Sequence, residues 1–325
     1  MYPGKFLLTL ALCFSIPACF AQKGSVFQGY SAVAWGKEMD PRLIKLLKAT
    51  TVVFFYRKED EDDLDVLKTA VTKAWKFTPV IVADISDFNK YNADPSFSLF
   101  TLNNPGMANR ASSESLYLTL YVPKEGGRRR TRYVPLCAMD LSPDLTGHSF
   151  EHRFPVMAMP FDDVIPYKDF YNEVKIRNWT PASLSIYLQL INAAVEQGRT
   201  PNRLKTWADT AEMHLVRNDT LFIPDYVLVH VNIVRGTNGD PDDHLFDNYP
   251  YKYKICTREE MNDRFITGNS GRFMFDYVKN NAGKTMCIYD MTTGKIIYRA
   301  LGFGANLNDT EVKSIFTDRH GRPRE

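Results

Sequence analysis

The chain is predicted to be an α+β protein. It reads as two tandem, diverged copies of a strand-helix-strand-helix-hairpin unit, joined by a helical linker, with mixed and antiparallel sheets. Three observations predict this. Residues 75–140 and 249–290 read as two versions of one stretch: Trp75 matches Tyr249, Tyr121-Val122 matches Tyr277-Val278, and Cys137 and Asp140 match Cys287 and Asp290. Short β-branched and aromatic runs alternate with segments of helical period. The clearest helix, Thr180 to Gly198, lies between the two versions. Helices mixed with meandering strands give an α+β arrangement rather than an all-parallel sheet.

In chain order the expected organisation is a signal peptide (1–21), an extended lead-in (22–39), a first α/β unit (40–141), a Pro-rich connector with the linker helix (142–203), a second α/β unit (204–317) and a charged tail (318–325). Lys5 followed by the apolar stretch Phe6 to Phe20 and the small residue Ala21 has the pattern of a secretory signal. The stretch is shorter than the roughly 20 residues a membrane-crossing helix needs. Its Phe20-Ala21-Gln22 ending resembles signal peptides of Gram-negative bacteria of the Bacteroides type, which implies periplasmic, outer-membrane-associated or extracellular residence. Cys19 as a lipidated first residue is the alternative, and Pro17 fits that signal poorly.

Asp40-Pro41 starts a short helix, with a capping carboxylate and a proline at the first helical position. Thr51 to Tyr56 is continuously apolar, as a strand buried on both faces should be. The acidic run up to Asp65 leads into Leu64, Leu67, Ala70, Val71 and Ala74, one face of a helix whose start favours acids. Trp75 to Val82 is expected as the second strand and Asp84 to Tyr91 as a short helix. Residues 92–115 are expected as a polar insertion largely absent from the second copy. Leu116–Val122 and Tyr133–Asp140 form a hairpin around a glycine turn. The strand-helix-strand of this first unit resembles small α/β domains of bacterial envelope proteins. The resemblance carries no diagnostic motif and implies no activity.

Pro143, Pro155, Pro160 and Pro166 mark the connector. After the linker helix, a further helix is expected over Leu204 to Leu215. Thr220 to Val234 supplies the next strand, interrupted at Pro224, and Gly236 to Asp243 a polar loop. Tyr249–Cys256 is a strand, Thr257 and Glu260 form a capping box opening a helix to Ile266, and 272–290 is a hairpin. Ile296–Tyr298 is the last strand, and Asn308 opens a closing helix to Phe316.

Apolar content of 44% and charged content of 24% are those of a globular protein, with ample material for a buried core. Forty basic residues, less Lys5 with the signal, nearly balance 38 acidic ones, so no long-range field draws the mature chain to nucleic acid. Cys137, Cys256 and Cys287 sit in apolar strand-like runs without Cys-x-x-Cys spacing, and read as small core residues.

The sharpest chemical motif is His148-Ser-Phe-Glu151-His152, the His-x-x-Glu-His pattern of inverted zinc peptidases. On a helix both histidines would share a face and bind zinc while Glu151 activated a water. Gly147 and Pro155 leave room for about one helical turn, and Glu173 is the only nearby third ligand. The sequence therefore favours a polar connector with surface histidines. Asn238 with Asp240, Asp242 and Asp243 reads as a solvated loop ahead of a weak cation site. His214 and His230 read as core or rim residues, and Asn178-Trp-Thr180 is a formal glycosylation acceptor. Arg128, Arg129, Arg130 and Arg132 at the hairpin tip are candidates for contact with an acidic partner or lipid head groups.

These features point to a non-catalytic binding or scaffold module of the cell envelope, needing no cofactor and acting on an envelope protein partner. A secreted zinc hydrolase is the first alternative. A carbohydrate- or peptidoglycan-binding module is the second, and it requires exposed aromatics among Trp75, Trp179 and Trp207.

Overall fold

The computed structural model describes residues 38–103, 116–124, 133–144, 168, 171–200, 206–232, 237–268, 271–280, 283–302, 304 and 306–317. The first element is helix α1 (Pro41–Lys48), where Asp40 accepts from the Arg42 amide as expected. Strand β1 (Thr51–Tyr56) follows, buried along its middle on both faces. A short 3-10 turn, Lys58–Asp60, leads into α2 (Leu64–Ala74). Strand β2 spans Val80–Asp84, later than predicted. Trp75 instead ends α2, its amide bonded to the Val71 carbonyl and its ring buried. The helical run holds to Ala74, and Pro79 has no amide to donate to a ladder. A turn at Ile85–Asp87 and α3 (Phe88–Asn92) come next.

Strand β3 (Phe97–Asn103) lies inside the stretch expected to be a polar insertion. Phe97, Leu99 and Thr101 alternate with Ser98, Phe100 and Leu102, and both faces of this strand are covered, so polar residues there do not mark a loop. Strands β4 (Leu116–Pro123) and β5 (Tyr133–Leu141) form the expected antiparallel pair. Helix α4 (Pro181–Glu196) is capped by Thr180, and Gly198 follows it at φ +63°. The next helix starts later than predicted: β6 (Trp207–Ala208) precedes α5 (Thr210–Asn218), whose cap is Asp209.

Strand β7 (Leu221–Pro224) stops at its proline, and a turn at Asp225–Leu228 leads to β8 (Val229–Asn232). The expected polar loop contains β9 (Thr237–Pro241), paired with β8. Strand β10 (Tyr253–Cys256) is followed by α6 (Arg258–Thr267), with the Thr257–Glu260 capping box in place. Strands β11 (Phe273–Asn280), β12 (Gly283–Asp290) and β13 (Ile296–Gly302), then α7 (Asp309–Ser314), close the chain. The whole is a mixed α+β fold with mixed and antiparallel sheets.

The two large sheets share one connectivity. In the first, β1 lies parallel to both β2 and β3, and β4 and β5 follow antiparallel, in the order β2-β1-β3-β4-β5. In the second, β7 lies parallel to both β10 and β11, and β12 and β13 follow antiparallel. The order is β10-β7-β11-β12-β13, with β6 added at the far edge. This topology places β11 opposite β3, one strand earlier than the sequence match of Leu116–Val122 with Arg272–Val278. Adjacent aromatic, β-branched strands look alike, and only pairing distinguishes them.

Helix α4 is buried nearly all round and packs against α2, α6 and β5. A helix apolar on every side belongs in an interior. One core joins the first sheet, α4 and the inward residues Met274, Cys287 and Tyr289 of the second sheet. A second core covers the other face of that sheet, where Phe273, Phe275 and Ile288 meet Met213, Val216 and Val312. Both sheets belong to one compact unit, Trp35–Glu325. Among the described residues no helix is long and apolar enough to cross a membrane.

Candidate functional site

In sheets with parallel strands, ligands gather beyond the carboxyl ends of the strands, where the connections reverse direction. Here those places are the ends of β1 and β7, since the chain passes from each to one neighbour and returns to the other side. Residues 171–187 serve both ends.

At the end of β1, Asp60 is buried and accepts the Arg57 amide at 2.8 Å and the Trp179 indole N–H at 3.0 Å. Burial pushes its carboxyl above the usual range, against the pull of these donors and of the Arg57 charge. The Arg57 guanidinium is itself fully buried. It donates to the carbonyls of Tyr171, at 2.9 Å, and Val174, and pairs with Glu59. The Trp179 ring lies 5.6 Å beneath it and stacks on Phe54 at 5.9 Å. The Tyr171 hydroxyl donates to the Phe55 carbonyl at 2.8 Å.

Near the end of β7 the buried carboxylate is Asp276, which lies on β11. Pairing of β7 with β11 ends at Phe222 and Met274, so Asp276 lies just past the point where β7 turns away. It is 1% exposed and accepts from the Tyr187 hydroxyl at 2.6 Å and the Tyr226 hydroxyl at 2.7 Å. Behind it, Asn178 donates to the Tyr187 oxygen at 2.6 Å and accepts the Ser142 amide at 2.7 Å. Burial raises the Asp276 carboxyl and these donors oppose it. Tyr187 and Tyr226 are pushed well above the ordinary phenol range by burial and by the adjacent carboxylate.

The chemistry available follows from this geometry. Each carboxylate is occupied by donors from its own surroundings, and each phenol is held as a donor, so none is a free nucleophile or base at neutral pH. The exposed edge is different. Arg258, at the first position of α6, acts electrostatically on Arg57, Glu59 and Asp60, and Glu59, Asp225 and Glu259 are exposed. Burial raises both Glu59 and Asp225, and neighbouring Glu259 and Glu260 push Asp225 up further.

The predicted site residues distribute as follows. His148, Glu151 and His152, Arg128, Arg129, Arg130 and Arg132, and Cys19 lie outside the described residues. Trp75 and Trp179 are buried, while Trp207 is 42% exposed on β6. Asn178 is wholly buried, and it belongs to the hydrogen-bond network of Asp276 through Tyr187. Asn238 is taken by Arg177 and Asp242 by the His244 amide, so that loop gathers no ligand set. No group of three or more His, Cys, Asp or Glu among the described residues is placed to hold a metal. Cys137, Cys256 and Cys287 are buried thiols. His214 is exposed on α5, at the surface rather than in the core.

Sequence reasoning missed Arg57, Asp60, Asp276 and Lys279. A signal existed for two of them: Asp276 and Lys279 interrupt the apolar run Phe273-Met-Phe-Asp-Tyr-Val-Lys. Scans against family models, curated proteins and solved structures each returned no match.

Proposed function

We propose that this chain is an exported, non-catalytic binding or scaffold module of the bacterial cell envelope, built as a tandem duplication. The observation that carries the reading is the filling of both strand-end crevices. Asp60 and Asp276, where an α/β enzyme would hold its reactive groups, are each closed by donors from the chain around α4. The exposed charged edge of Glu59, Asp225, Arg258 and Glu259 is left as the contact surface, together with the arginines of 128–132. The duplication is supported by the common strand order and by matched caps. Counting from Val52 and Leu221, Asp84 and Thr257 fall at the same place; Asp84 caps the 3-10 turn and Thr257 the helix that follows its strand. The signal-like N-terminus supports export to the periplasm, the outer membrane or the medium.

The test is crosslinking in cells with a tagged chain, then fractionation and mass spectrometry. Reproducible capture of one or two envelope proteins, lost in the Glu59→Lys/Asp225→Lys variant, is the expected result. A chain found free and unattached in the periplasm or medium overturns the reading. The zinc-hydrolase alternative makes a separate demand of about one zinc per chain, lost on His148→Ala. A glycan-binding reading draws on one observation, the exposure of Trp207 beside Leu301 on a sheet edge. Loss of glycan pulldown on Trp207→Ala would support it, and burial of Trp75 and Trp179 counts against it.

A further inference from the structure

Lys279 lies near the end of β11, on the face that carries Phe273, Phe275 and Tyr277. It is 2% exposed, and its Nζ has no hydrogen-bond partner among the described residues. Directly across the hairpin sits Lys284, so two amines leave the same face of the sheet. Lys284 is answered: its Nζ donates to the Glu311 carboxylate at 2.6 Å and to the Asn306 carbonyl. Lys279 has no acid of its own. The charges that act on it are the Arg177 guanidinium, which opposes its protonation, and Asp144, which favours it. Asp144 is already engaged by Arg177 at 3.0 Å. Other titratable groups on the elements packed here include Tyr277 on the same strand, Lys284 across the hairpin and Glu311 on α7.

Arg177 reaches from this interior to the surface. Its Nη2 donates to Asp144 and, at 2.6 Å, to exposed Asn238 on β9. Both side-chain bonds leave from Nη2, so its Nε and Nη1 donors make none within the described residues. A buried cation without a hydrogen-bonded partner is costly, and here the charge of Arg177 adds to that cost. Burial and Arg177 together push Lys279 down to about 7. The chemistry that completes this arrangement is an anion with several acceptor oxygens, able to bridge an ammonium and a guanidinium.

We propose that Lys279 and Arg177 form a binding site for a small oxyanion, a carboxylate, sulfate or phosphate group, reached from the surface at Asn238. The bound anion holds Lys279 in its ammonium form, so binding takes up a proton and weakens as pH rises. The site is independent of the scaffold reading and stands or falls without it.

The experiment is a sulfate titration of the full chain by calorimetry and thermal melting, with chloride at equal ionic strength as control. Sulfate keeps one charge state across the range used. Saturable binding is expected at pH 6. Affinity should fall about thirtyfold by pH 8.5, as binding that needs one proton on a group titrating near 7 requires. The Lys279→Met variant, which keeps the stem and removes the amine, should fold and lose the response. A parallel acetate titration assigns the class: equal response marks a carboxylate site, and a response to sulfate alone marks a tetrahedral one. No sulfate response beyond chloride, an equal response in Lys279→Met, or affinity unchanged with pH overturns the proposal.

Discussion

Removing the Asp276 carboxylate tests whether the network around α4 holds the second sheet to the helix. Asp276→Ala leaves the hydroxyls of Tyr187 and Tyr226 without their acceptor in a buried site. Hydrogen bonds to a charged group contribute roughly 1.5–3 kcal/mol each, and orphaned buried donors add to the loss. Release of the carboxylate from its own desolvation offsets part of this. The net loss should be about 3–5 kcal/mol, in the range for breaking a buried charged network from one side. Melting should fall by about 6–20 °C, at roughly 2–4 °C per kcal/mol for a domain of this order. Asp276→Asn separates shape from charge. Its carboxamide oxygen accepts from one phenol and its N–H donates to the other, so stability at pH 7 should stay within about 1 kcal/mol of the parent.

The pH dependence has a defined sign. The folded-state carboxyl is raised, so the native protein holds this proton to higher pH than the unfolded chain. The contribution is therefore most favourable in acid and declines as pH rises from about 4, the unfolded value, through the native one. Asp276→Asn should lack that decline. The assay is urea unfolding of parent and both variants across pH. A loss under about 1 kcal/mol for Asp276→Ala would refute the argument, because a network of this burial cannot be that cheap to break.

Two further outcomes follow from local geometry. Gly294 sits at φ +68° in the turn after β12, and a Cβ there would lie 2.6 Å from the Gln189 Cβ and 3.2 Å from the Ile186 carbonyl on α4. Gly294→Ala should cost about 2–4 kcal/mol through left-handed strain and overpacking, read by urea unfolding; an unchanged midpoint would mean the turn does not press on the helix. The buried thiols Cys137, Cys256 and Cys287 should resist a thiol reagent in the native protein and all react after denaturation. Peptide mapping of the label checks this, and rapid native labelling of any of the three would place that strand at the surface.

Local signals in the chain were sufficient for most elements. The Asp40 cap, the apolar run of β1, the face of α2, the Thr180 cap with Gly198, and the Thr257–Glu260 box each depend on neighbours within one or two turns. The elements misread depend on partners far along the chain. Strand β3 carries Ser98 and Thr101 because β1 and β4 cover it. The edge pieces β6 and β9 exist because β13 and β8 offer them free backbone groups. The candidate sites follow the same division. Motif matching selected residues 148–152 and 128–132 by spacing alone. Asp60 with Trp179, Asp276 with Tyr187 and Tyr226, and Lys279 with Arg177 are separated by 119, 89, 50 and 102 positions in the chain. By itself the sequence determined most of the helices and strands and that the whole is α+β. Only the tertiary structure decided which charges are buried and what faces them, because burial and pairing are properties of chain segments brought together, not of their composition.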